Sequence, residues 1–190
     1  MTTTPTPKKR GRPKSTGAKL PAKSKATPRV KVSADVKPAP ATNSLPSNPF
    51  IFEILELVDA QKTNAKKVEV LRNYEHPSIK TVLVWNFDPS VISLLPEGEV
   101  PYNRNDVPVG TDHTSLRREY KQLYHFVKGG NDQLSSLRRE SMFIQMLEGL
   151  HPDEADIICL VKDGQLNKKY KLTRDIVETA YPDIIWGGRS

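Results

Sequence analysis

Lys9-Arg10-Gly11-Arg12-Pro13-Lys14 is the stretch whose residue types and spacing most directly imply chemistry, and that chemistry is contact with DNA. Gly11 lacks a Cβ, so the backbone there can lie against a groove floor. Pro13 fixes its own φ and favours an extended residue before it. Arg10 and Arg12, on either side of the glycine, can then point along a narrow A·T-rich minor groove, where the negative potential is deepest. Two plainer readings stand beside this one: a solvated basic tail, or a nuclear-import signal in a eukaryotic host.

These six residues resemble the AT-hook family, a short disordered motif that folds only on DNA. The resemblance implies minor-groove binding through Lys9, Arg10, Gly11, Arg12, Pro13 and Lys14, with A·T-rich double-stranded DNA as the partner. The surrounding composition agrees. Residues 1–48 carry eleven Lys and Arg against the single acid Asp35, a net charge of +10. The whole chain is +7, which leaves −3 for residues 49–190. The tail has no aromatic residue and is rich in proline. Such a segment cannot bury enough apolar surface to offset its ordering entropy, so disorder is expected over 1–48.

Residues 49–190 are enough for one domain with its own core. Helix-start signals recur along it, each a polar residue followed by proline at the first helical position. Asn48-Pro49 precedes Ile51, Ile54, Leu55 and Val58, spaced i, i+3, i+4, i+7 on one apolar face. His76-Pro77 and His151-Pro152 precede further apolar runs, and Asp88-Pro89 opens a short turn. Additional helices are expected at 64–73, 113–128, 133–149 and 173–181, with Thr173 capping the last. Residues 96–111 read as one long loop. The expected fold class is all-α, a compact multi-helix domain behind a disordered basic tail.

A search for catalytic chemistry finds little. His76, His113, His125 and His151 share no metal-ligand spacing with one another or with Cys159, so no metal or cofactor is expected. Cys159 lies in an apolar run and reads as a small core residue. Asp153, Glu154 and Asp156 could be drawn as a cation site. Their place in a first turn, where the helix dipole favours acids, needs fewer assumptions. Lys128-Gly129-Gly130 lacks the ending of a phosphate loop and reads as a helix stop. Lys162-Asp163-Gly164 lacks one residue of the nucleotidyl-transferase Lys-x-Asp-Gly and reads as a turn. No enzyme is expected. The lone cysteine suits a reducing compartment, and no apolar run approaches the roughly 20 residues that span a bilayer.

One basic stripe stands out. Residues 104–139 hold seven basic and four acidic residues inside a domain of net −3. On a helix over 113–128, Leu116, Tyr120, Leu123, Tyr124 and Val127 would form the apolar face. Arg117, Lys121 and Lys128 would fall within about 40° of one another at about 100° per residue. Arg118, Arg138 and Arg139 lie close by in sequence. The six cations are a candidate second DNA surface, or an ordinary solvated face.

Further resemblances cover the domain. Leu94-Leu95-Pro96-Glu97-Gly98, Phe126-Val127-Lys128-Gly129-Gly130 and the run from Phe143 to Pro152 are similar to an uncharacterised small-protein family of T-even-like contractile-tailed bacteriophages. Phe52-Glu53-Ile54-Leu55, Lys67-Val68-Glu69-Val70-Leu71 and the run from Ile176 to Ile185 resemble the N-terminal all-α DNA-binding domain of phage ATP-dependent DNA ligases. The ligase domain grips duplex DNA across the minor groove, so the resemblance implies a helical DNA-binding domain detached from its catalytic partner. The expectation is a non-enzymatic phage DNA-binding protein acting in the host cytoplasm, on the nucleoid, or within the virion. The alternative is a protein-interaction adaptor or virion component whose tail only neutralises DNA.

Overall fold

The computed structural model describes Met1 and residues 45–108 and 113–188. The hook residues Lys9–Lys14 and the disorder expected over 2–44 lie outside the described residues, whereas Leu45, also expected in the tail, packs against the core and donates its N–H to the Tyr74 hydroxyl at 2.9 Å. The chain parts into two units between Ala41 and Thr42, and the helices belong to the second.

Among the described residues the domain is all-α. Its elements are α1 (Ile51–Asp59), α2 (Asn64–Asn73), α3 (Pro77–Phe87) and α4 (Leu116–Glu119), then a 3-10 helix (Tyr120–Phe126). After it come α5 (Ser136–Gly149), α6 (Pro152–Lys162), α7 (Leu166–Lys169) and α8 (Arg174–Ala180). The start signals at His76-Pro77 and His151-Pro152 act as their chemistry requires, whereas Pro49 lies before α1, whose cap is Phe50. Pro77 and Pro152 occupy the first turns of α3 and α6. In both helices the preceding histidine is the cap: His76 Nδ1 accepts from the Ser78 N–H and His151 Nδ1 from the Asp153 N–H. Glu53 reaches back from α1 to accept the Phe50 N–H at 2.8 Å. Thr173 caps α8 without a side-chain bond.

The apolar face read from α1 is the buried one: Ile51, Ile54, Leu55 and Val58 are all at most 1% exposed. α2 packs between α1 and α8, while α3 lies against α6 and the 3-10 helix. Tyr181 closes the α2–α8 side by donating its hydroxyl to the Leu71 carbonyl at 2.6 Å. Phe126 sits at the centre of the other side, stacked on Trp85 and edge-on to Phe143. The long loop is present through 96–108 without helix or strand. Its start is pinned by the buried Lys162 ammonium, which donates to the Pro96 carbonyl and pairs with Asp163. Its middle is pinned by Arg104, which grips Asp156 with both terminal nitrogens.

One expectation needs correction, and another gains a second role. No continuous helix runs over 113–128: four residues of α-helix tighten into a 3-10 helix, and Val127 is extended. The tightening suits Tyr120, Leu123 and Phe126, because i, i+3 side chains eclipse in a 3-10 helix. Leu123 and Phe126 are buried along that edge. The extended exit then lets Lys128 N–H reach the Ile92 carbonyl, while the Phe126 carbonyl accepts from Leu94. The acids do open α6, with Asp153 and Glu154 in its first turn, and Glu154 does more than answer the dipole. Glu154 is fully buried and accepts the N–H groups of Ile51 at 2.9 Å and Leu116 at 2.8 Å. One carboxylate thus serves the first turns of both α1 and α4.

Candidate functional site

The candidate second DNA surface divides cleanly once partners are counted. Arg117 turns inward, its Nε donating to the Pro49 carbonyl at 2.9 Å. Burial raises the Glu154 pKa, and Arg117 stands close enough to offset part of that rise. Arg139 is 6% exposed. Its Nε donates to the His125 carbonyl, and Nη2 to those of Asn131 and Leu134. This guanidinium ties α5 to the end of the 3-10 helix and to the turn beyond it. Both arginines are therefore structural, and the shared face expected for Arg117, Lys121 and Lys128 does not form. Arg117 points into the domain, and Lys128 lies past the helix end.

Arg118, Lys121, Lys128 and Arg138 are exposed, and among the described residues their side chains make no hydrogen bond or ion pair. They sit on elements that follow one another or pack together. Arg118 and Lys121 lie on α4 and the 3-10 helix that continues it. Lys128 begins the turn after that helix, and Arg138 adjoins the arginine that fastens α5 to the turn. Glycine is needed there. Gly129 has φ +79°, and a Cβ on Gly130 would run into the Tyr124 carbonyl. The helix stop read at Lys128-Gly129-Gly130 is thus a turn that only glycine fits.

The 3-10 geometry also exposes what an α-helix would have buried. Lys121 and Tyr124 are three residues apart and share the outer edge, so Tyr124 is 50% exposed rather than in the core. Beside it runs an open groove of about 580 Å³ between α3, the 3-10 helix and Asp183–Ile185. Val84, Trp85, Tyr124, Val127, Ile184 and Ile185 give it apolar walls. Trp85 is 5% exposed and its indole N–H has no partner. Lys121 stands free on one rim. On another, Lys80 is held between Glu75 at 2.5 Å and Asp183 at 2.7 Å.

Residues 54–168 match the model of a family of unknown function, DUF6433. The chain belongs to that family. No curated protein and no solved structure matches it. The DUF6433 segment contains Glu154, both inward-turned arginines and all four free cations. It also includes the groove walls on α3 and the 3-10 helix. The basic tail and the groove wall at Asp183–Ile185 lie outside the matched residues.

The remaining reactive groups are occupied or muted. Burial pushes the Cys159 thiol up to about 11, which keeps it protonated and unreactive. His113 Nε2 lies 2.7 Å from the Val107 carbonyl, and His125 is bonded to Asn131. Among the described residues no group of three or more His, Cys, Asp or Glu is placed to hold a metal ion. Among the same residues, no helix is long and apolar enough to cross a membrane.

Proposed function

We propose that this is a non-enzymatic double-stranded DNA-binding protein whose basic tail lies in the minor groove of A·T-rich DNA. Arg118, Lys121, Lys128 and Arg138 of the helical domain add phosphate contacts. The observation that carries the reading is the partition of charge: a tail of +10, containing Lys9-Arg10-Gly11-Arg12-Pro13-Lys14, joined to a domain of −3. Lys8, Lys9, Arg10, Arg12 and Lys14 can neutralise up to about five phosphates, and each releases counterions with a slope near −0.9 in log affinity against log salt. The four domain cations support the reading because no intramolecular partner holds them. They can fix register on a duplex without reading bases. In keeping with the phage resemblance, the protein would act on DNA in the host cytoplasm or within the virion.

The test is duplex binding by the full chain. Replacing Arg10 and Arg12 with alanine should weaken binding to A·T-rich duplex more than to G·C-rich duplex, because those two side chains enter the groove. Equal losses on the two duplexes would reduce the motif to a generic basic tail. A second reading, a protein-interaction adaptor or virion component, is favoured by the −3 charge of the domain and by the open apolar groove. Under it, alanine at Arg118, Lys121, Lys128 and Arg138 leaves duplex affinity unchanged.

A further inference from the structure

We infer that the groove between α3, the 3-10 helix and Asp183–Ile185 is a docking site for an apolar segment of a partner protein that carries acidic residues along one flank. Its size lies within the range of ligand-binding clefts. Its walls are largely aliphatic, and two of the domain's most exposed large apolar side chains, Tyr124 at 50% and Ile185 at 79%, stand at it. An apolar side chain entering there would be desolvated between Val84, Val127 and Ile184.

The charges at the rim select the occupant. Lys80 sits between Glu75 and Asp183, which leaves that side with one negative charge in excess and no call for a further acid. Lys121 lines the groove, exposed and unpaired. A partner with a carboxylate on that side completes it, and one with lysines there is repelled. Nucleic acid fits the walls less well. Trp85 is buried, so its ring offers no stacking face, and most of the remaining wall area is apolar. The inference shares Lys121 with the DNA reading and is told apart from it by Tyr124 and Ile185, which the DNA reading does not use.

Fluorescence anisotropy tests it, using the full chain and a labelled synthetic 16-residue peptide. The peptide carries leucines at i, i+3, i+4, i+7 and glutamates elsewhere, and a control peptide has lysines in place of the glutamates. The acidic peptide should bind saturably and the basic one at least tenfold more weakly. Tyr124→Ser and Ile185→Ser should each weaken the acidic peptide about tenfold, and Lys121→Glu by at least as much. Because Tyr124→Ser and Ile185→Ser remove no charge, both should leave duplex DNA affinity within twofold. That separates failure of this inference from failure of the DNA reading. Both side chains are exposed, so both variants should keep the wild-type circular dichroism spectrum. The inference is overturned if neither peptide binds, if both bind equally, or if Tyr124→Ser and Ile185→Ser leave acidic-peptide binding intact. A dimer that dissociates on Tyr124→Ser would assign the groove to a second copy. A single-stranded oligonucleotide whose binding Tyr124→Ser abolishes would assign it to nucleic acid. Either of these results also overturns the inference.

Discussion

The acids that open α6 and the bases between Leu116 and Arg139 are both dense runs of like charge, yet the fold treats them differently. Every acid of the first group has intramolecular work. Glu154 holds the first turns of α1 and α4, Asp156 holds Arg104, and Asp153 lies 3.5 Å from His151. The basic group is split. Arg117 and Arg139 are spent on carbonyls, whereas Arg118, Lys121, Lys128 and Arg138 remain exposed and unpaired. Each Arg-Arg pair contributes one member to each class, because adjacent residues on a helix face different directions. Surplus charge without an internal partner is what remains available for an external one, and on this domain the surplus between Leu116 and Arg139 is positive.

The sharpest way to break this contrast is at Glu154. Glu154→Ala strands two buried N–H donors, at about 1 to 3 kcal/mol each, so urea denaturation should show a loss of about 2 to 6 kcal/mol. Burial pushes the Glu154 carboxyl up to about 7, against the pull of the two N–H donors. With the folded value above the unfolded one of 4.5, the folded chain takes up a proton that the unfolded chain has released. Stability therefore falls as pH rises from about 4.5 to 7. Compared with Glu154→Gln, which does not titrate, wild-type stability should decline by up to about 3 kcal/mol between pH 4.5 and pH 8. A difference between the two that is flat with pH would contradict the burial argument.

Arg139→Ala should come next. It removes charge-assisted bonds to three carbonyls and should cost about 2 to 3 kcal/mol by the same measurement. Arg138→Ala, one residue away, should stay within about 0.5 kcal/mol. If the two variants cost the same, the division into structural and free cations fails.

Much of the fold is legible from local chemistry. The Pro-initiated helices and the α1 apolar face come from rules that act within one or two turns, and the structure keeps them. The remainder is decided by distant partners. Glu154 reads as a dipole-favoured acid until Leu116 and Ile51, 38 and 103 residues away in sequence, bring it their N–H groups. The apolar residues of 116–127 fit an α-helical stripe, but the eclipsed edge of Tyr120, Leu123 and Phe126 fits a 3-10 helix better. That change moves Tyr124 from core to surface and so exposes one wall of the groove. The short helix α7 carries no start signal, so nothing local announces it. Within the candidate site, exposure of Arg118, Lys121, Lys128 and Arg138 accords with residue type alone. The inward turn of Arg117 and Arg139 does not, since nothing in the sequence tells the members of an Arg-Arg pair apart.

The central claim, that the basic tail and the free cations are the DNA contacts, is tested most directly by the salt dependence of full-chain binding to an A·T-rich duplex. Replacing Lys8, Lys9, Arg10, Arg12 and Lys14 together with alanine should make the slope of log affinity against log salt shallower by about 4 to 5. Replacing Arg118, Lys121, Lys128 and Arg138 should lower it by a further amount, up to about one per real contact. Replacing Arg117 or Arg139, whose guanidinium groups are bonded to backbone carbonyls of the domain, should leave it unchanged. A slope that does not respond to the tail, or that responds to Arg117 and Arg139 as strongly as to their exposed neighbours, would contradict the account.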